Sequence, residues 1–413
     1  MRLCGLLVLA ALVVACKDPS GPEARTPRIT ELPRALSAGE QRVISASNAF
    51  GFGLLRELDR THAGKNIFMS PLSASMALGM TMNGAAGQTY DQMREALAFG
   101  SASRSEINES YRSLIDMLRG LDPTVEFRIA NSIWYRNTFP FEQTFLTESQ
   151  QYFDARVAAL DFNAANAAPT INDWVKQSTN SKIEEIVDGP IGDDVVMYLI
   201  NAIYFNGSWT TRFDKSKTRQ DQFTTSDGTT APIEMMRLTD TVRVAQTGDL
   251  QAIDLPYGGG AYSMTILLPR PGKSVTDVVS SLTAASWQSA IANATAQEIE
   301  LEMPKFRLRW EALLNDPLMA LGMDLPFSAG LADFTRMSPM GTALYISKVK
   351  QKSYVDVHEE GTEAAAVTSV EIRVVCTCGP QVIRIDRPFV FAIRERLSGT
   401  ILFMGKIVRP PAA

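Results

Sequence analysis

Glu359-Glu360-Gly361-Thr362-Glu363-Ala364-Ala365-Ala366-Val367-Thr368 begins a segment of unusual composition near the C-terminus. Neither proline nor a further glycine occurs between Gly361 and Cys378, although this is a place where an exposed loop would normally carry turn residues. Taken alternately, Thr362, Ala364, Ala366, Thr368, Val370, Ile372 and Val374 carry no charge, while Glu363, Glu371 and Arg373 fall on the other parity. Side chains of a strand alternate, so one face of this segment suits a core and the other suits water. The absence of proline leaves its N–H groups able to pair, as a central strand requires. At roughly 3.3 Å per residue, residues 362–375 would span on the order of 45 Å, far beyond an ordinary strand. Three successive alanines can slip between existing strands, yet they also suit a helix starting near Glu359, which composition alone favours.

The rest of the chain supplies a large body for this segment. Of its 413 residues 45% are hydrophobic and 21% charged, a globular composition. A net charge of -5 offers no general attraction to phosphate backbones, so no nucleic-acid partner is expected. Val43, Ala46, Phe50, Leu54 and Leu58 make one stripe of a helix over 41–60. Ser73 is the expected cap of a nearly all-apolar helix over 74–83, and further helices are expected over 104–121 and 171–187. Residues 126–135 alternate, 195–205 form an apolar run suited to burial on both faces, and 262–268 read as a strand. Tyr257-Gly258-Gly259-Gly260 reads as a turn, and 389–394 with 400–408 as a hairpin around Leu397-Ser398-Gly399. Helices early and strands late give one α+β domain over 41–413, with no internal boundary.

The first residues follow a different logic. Arg2 precedes an apolar run over 5–15 that is too short to cross a bilayer, and Val13-Val14-Ala15-Cys16 resembles the lipobox of bacterial lipoproteins. Residues 1–15 are therefore expected to be a signal peptide, with Cys16 lipidated and an extracytoplasmic, membrane-anchored protein as the result. An ordinary secretory signal is the alternative. Pro19, Pro22, Pro27 and Pro33 mark residues 16–40 as a tether. Cys4 leaves with the signal, so only Cys376 and Cys378 remain and no disulfide framework is expected.

The stretch from Glu359 to Thr368 resembles the hinge of the serpin family almost residue for residue. Similar motifs follow in family order: Asn66-Ile67-Phe68-Met69-Ser70-Pro71-Leu72-Ser73, Gly84-Ala85 with Thr89, residues 172–186, and Asn201-Ala202-Ile203-Tyr204-Phe205 with Trp209 and Phe213. Met303-Pro304-Lys305-Phe306, Arg387-Pro388-Phe389 and Leu402-Phe403-Met404-Gly405 complete a resemblance covering about residues 41–410. The resemblance implies three β-sheets, eight to nine helices and an exposed reactive loop over about 359–386. It implies a hinge of Glu359, Gly361, Thr362, Glu363, Ala364, Ala365, Ala366 and Thr368. A shutter of Ser70, Pro71, Ser73 and Asn201 would control opening of the main sheet, with Trp209 at the breach where the loop first enters. The shutter histidine usual in much of the family aligns here with Gln351, which still donates and accepts hydrogen bonds.

The implied function is suicide-substrate inhibition of a serine protease, extending to cysteine proteases, by a monomer without cofactor or metal. Family spacing from Gly361 places the attacked carbonyl on Val375 and the leaving nitrogen on Cys376, with Arg373 and Thr377 as other registers. A small aliphatic Val375 favours an elastase-like or subtilisin-like target. The alternative is a non-inhibitory serpin-like binding or chaperone protein, whose hinge would carry bulky, charged or proline residues. An enzyme is not expected: His62 and His358 are the only histidines, both read as surface residues, and Cys376-x-Cys378 lacks the other ligands of a zinc site.

Overall fold

A computed structural model of the chain describes residues 28–362 and 380–411. Cys16, the hinge from Glu363 onward and the Val375–Cys376 bond lie outside the described residues.

The first helix, Ala38–Thr61, begins three residues before the expected start because Ser37 caps it. The Ser37 hydroxyl accepts the Glu40 N–H at 3.1 Å, and the Glu40 carboxylate accepts the Ser37 N–H at 2.7 Å, a reciprocal capping box. Arg34 grips the same carboxylate with two N–H groups, at 2.8 and 2.6 Å, which holds Glu40 down to about 2. The second helix is Pro71–Asn83, and its cap is Ser70 rather than the expected Ser73. Pro71 occupies the first helical position, where a missing N–H costs nothing, so the Ser70 hydroxyl takes the Ser73 N–H instead. The helix expected over 171–187 is Ala167–Ser178, stopped where Asn180 and Ser181 turn left-handed at φ 49° and 62°. The Asn172 carboxamide then accepts the N–H groups of Ile186 and Val187 at 2.9 and 3.0 Å, pinning the chain that follows.

Nine α-helices occur among the described residues, together with two hydrogen-bonded sheets. One sheet runs Phe306–Leu313, Lys350–His358, Gly361–Thr362, Met197–Ser208, Val125–Arg136, Arg156–Leu160. The other has nine strands and contains the expected hairpin of Phe389–Glu395 with Ile401–Ile407. The expected three sheets form two ladders because the 17-residue strand Thr230–Gln246 serves both smaller ones. Its first part pairs with Arg219–Thr224 and its last with Leu250–Tyr257.

The main core lies between the two sheets, where the ring of Phe68 stacks on those of Phe391 and Phe403 at 5.6 and 5.1 Å. A separate cluster of Trp134, Phe162, Ile171, Val175 and Ile200 lies beneath the helix Ala167–Ser178. The strand Met197–Ser208 contributes Ile200 to this cluster and Ile203 and Phe205 to the main core. It is buried on both faces, as its apolar run predicts.

Candidate functional site

Gly361–Thr362 is a two-residue strand seated between two long ones. Gly361 pairs with His358 on one side and Ser208 on the other, and Thr362 pairs with Val357 and Gly207, all antiparallel. Among the described residues, the strands Lys350–His358 and Met197–Ser208 are laddered together only through these two residues. The turn leading into them is held by its carbonyls. His358 C=O takes the Trp209 indole N–H at 2.9 Å, Glu360 C=O the Trp209 backbone N–H at 2.9 Å, and Glu359 C=O the Phe213 N–H at 3.0 Å.

Thr362 faces the core. It is only 2% exposed, and its hydroxyl shares a 2.6 Å hydrogen bond with the Tyr257 hydroxyl. The Tyr257 ring in turn stacks on Trp209 at 4.4 Å. Gly361 has φ +154°, and a Cβ there would meet the Gly207 carbonyl oxygen at 2.2 Å, so this close approach needs glycine.

The charges around the turn are paired. Glu359 accepts the Thr218 hydroxyl at 2.7 Å and lies 3.4 Å from Lys305, while Glu360 pairs with Lys215 and Asp356 with Arg307 at 2.8 Å. Burial pushes the Glu359 carboxyl up, but the Thr218 bond and Lys305 outweigh it and hold the group below its ordinary value. Thr218, Lys215 and Tyr257 were not legible as members of this site. Lys305 belongs to the Met303-Pro304-Lys305-Phe306 motif, which assigns it no role at this turn.

Further down the same two strands, Ser70, Pro71, Ser73, Asn201 and Gln351 come together at the start of the second helix. The Gln351 amide donates to Ser70 C=O at 3.0 Å and its oxygen accepts the Ser70 N–H at 3.2 Å. The Ser70 hydroxyl donates to Leu402 C=O at 2.6 Å, and the Ser73 hydroxyl to Asn201 C=O at 3.4 Å. Asn201 donates its amide to the Asn131 side chain. Its Oδ1 is buried without a partner among the described residues. The helix start thus holds Lys350–His358 through Gln351 and Met197–Ser208 through Asn201. Trp209 lies apart from this group, beside Gly361–Thr362 and the turn before them.

Gln351→Met leaves the Ser70 N–H buried and unpaired, which is expected to cost about 1–3 kcal/mol. Gln351→His, which keeps a donor and an acceptor, is expected to cost less. Denaturant midpoints of the two variants measure the difference.

A family model described as Serpin (serine protease inhibitor) matches residues 45–410. Iripin-2 of Ixodes ricinus is 34% identical over 376 residues, 89% of this chain and 94% of that protein. The thermophilic serpin tengpin, solved in its native state, superposes with a TM-score of 0.81 at 30% identity over 94% of this chain and 97% of its own. Human thyroxine-binding globulin, solved with thyroxine, gives 0.82 at 26% identity over 91% and 100%. The chain belongs to the serpin family, whose members are mostly protease inhibitors rather than enzymes.

Proposed function

We propose that this serpin is a suicide-substrate inhibitor of serine proteases, with cysteine proteases as a further target class, and that it acts from a lipid anchor outside the bacterial cytoplasm. The observation that carries the reading is the seating of Gly361–Thr362 between two strands with Thr362 turned to the core. If the strand were continued in that register, Ala364 would come opposite Val355 and Phe205, and Ala366 opposite Ser353 and Ile203. Thr368 would then come opposite Gln351 and Asn201, where its hydroxyl could reach the Asn201 Oδ1, which has no partner among the described residues. A strand continued this way would turn the uncharged parity to the core and leave Glu363 on the opposite, water-facing parity.

The target's nucleophile adds to the Val375 carbonyl, the bond to the Cys376 nitrogen breaks, and the chain remains attached as an acyl-enzyme. The inhibitor supplies position and no catalytic group. Insertion of the freed loop between the two strands drags the protease along and distorts its oxyanion hole, so hydrolysis of the acyl bond stalls. Val375 suits the shallow apolar pocket of an elastase-like or subtilisin-like enzyme, and Arg373 is the trypsin-like register. The binding-protein alternative, a role like that of the thyroxine complex, fits less well because Thr362, Ala364, Ala365, Ala366 and Thr368 are all small.

Titration of elastase-, subtilisin-, trypsin- and papain-like enzymes tests the reading. Stoichiometric loss of elastase-like or subtilisin-like activity is expected, with release of a peptide beginning at Cys376. A peptide beginning at Val374 would move the reactive bond to Arg373, and full protease activity alongside cleaved chain would overturn inhibition. Cys16→Ser is expected to shift the protein from the membrane to the soluble fraction. An unchanged distribution would refute the lipid anchor.

A further inference from the structure

His358 ends the strand Lys350–His358 and is the ladder partner of Gly361. While its carbonyl holds Trp209, its ring does separate work: Nδ1 accepts the Glu360 backbone N–H at 3.3 Å. A side-chain acceptor bonding the N–H two residues on is the arrangement asparagine and aspartate use to hold turns. A ring nitrogen accepts only when it carries no proton, so this turn is built on the neutral imidazole with the proton on Nε2.

The ring lines a surface recess together with Asp356 of its own strand, Glu359 and Glu360 of the turn, Lys305 and Arg307 at the neighbouring strand, and Lys215. Each carboxylate already has a cation: Arg307 on Asp356, Lys305 on Glu359, Lys215 on Glu360. Partial burial pushes His358 below the ordinary histidine value, with Lys305 acting the same way and Asp356, Glu360 and Glu359 opposing.

We propose that His358 is an acid-sensitive latch on the hinge, in which protonation at Nδ1 cancels the bond to the Glu360 N–H and releases Gly361–Thr362 from the sheet. The seated ring holds its proton less tightly than the released, solvated ring, which titrates near the usual value of about 6.5. Linkage therefore leaves seating undiminished above about pH 6.5 and weakens it as pH falls below that. The inference rests on reading Gly361–Thr362 as the hinge of an inserting loop, but its test does not require inhibition.

Amide hydrogen exchange of the full chain, corrected at each pH for chemical exchange, reads the protection of Gly361–Thr362 and of residues 209–213. A clear loss, at most about tenfold for one linked proton over one pH unit, is expected between about pH 7.5 and 5.5. His358→Asn, whose Oδ1 is an acceptor that does not titrate, is expected to keep its protection, and His62→Asn to behave as wild type. Unchanged protection in the wild type, or the same loss in His358→Asn, overturns the latch. Imidazole NMR of the wild type needs no variant: a proton on Nε2 at pH 7.5 is expected, and a proton on Nδ1 overturns the proposal. A pH step in hinge exchange without inhibition of any protease would sink the proposed function and leave the latch standing.

Discussion

Thr362→Arg is expected to turn the proposed inhibitor into a substrate. Thr362 sits 2% exposed beneath the Trp209–Tyr257 stack, bonded to the Tyr257 hydroxyl at 2.6 Å and flanked by Val357 and Gly207. Among the described residues no anionic side chain bonds Thr362, so an arginine could take this place only by losing its hydration. An unpaired buried charge costs several kcal/mol, more than the two-residue ladder returns. The hinge is therefore expected to stay out of the sheet, insertion to lose its race with acyl-enzyme hydrolysis, and the protease to leave active after cutting the Val375–Cys376 bond. The expected yield of covalent complex is below about a tenth of wild type, since about 1.4 kcal/mol on the insertion barrier already shifts that race tenfold. Glu363→Gln, on the water-facing parity, is expected to keep full complex formation. Equal complex yields from Thr362→Arg and wild type would remove the insertion mechanism.

Cleavage in the loop is expected to raise thermal stability strongly. The strands Lys350–His358 and Met197–Ser208 share only Gly361–Thr362 as a ladder among the described residues. A strand continued from Thr362 past Thr368 would add backbone bonds on both sides and bury its uncharged face. Ten or so net hydrogen bonds at about 1 kcal/mol each give roughly 10 kcal/mol. For a chain of this size that corresponds to a melting point higher by about 10–20 °C. Calorimetry before and after limited proteolysis measures it. An unchanged melting point would favour the binding-protein reading.

Much of the fold was legible because periodicity reports burial directly. The stripe of Val43, Ala46, Phe50, Leu54 and Leu58 is a helix, and the two C-terminal apolar runs are the expected hairpin. The reading slipped where local chemistry competes with pattern: Pro71 moved the helix cap from Ser73 to Ser70, and left-handed Asn180 and Ser181 ended a helix that apolar spacing would have extended. At the site, the uncharged parity anticipated the core-facing Thr362, and Gln351 uses both its donor and its acceptor on Ser70, as its chemistry allows. Tyr257 was read only as part of a turn because its role depends on Thr362, 105 residues away. His358 was read as a surface residue. Its ring is instead half-buried against the hinge turn, because the turn uses Nδ1 as an acceptor and folds over it.

The most direct test is electrophoresis in SDS after mixing the full chain with an elastase-like or subtilisin-like protease, with mass spectrometry of any new band. An SDS-stable species with the mass of the protease plus the mature chain through Val375, accompanied by free peptide 376–413, is the result this account predicts. Cleaved chain and active protease as separate species, at every ratio and with every enzyme class tried, would contradict it.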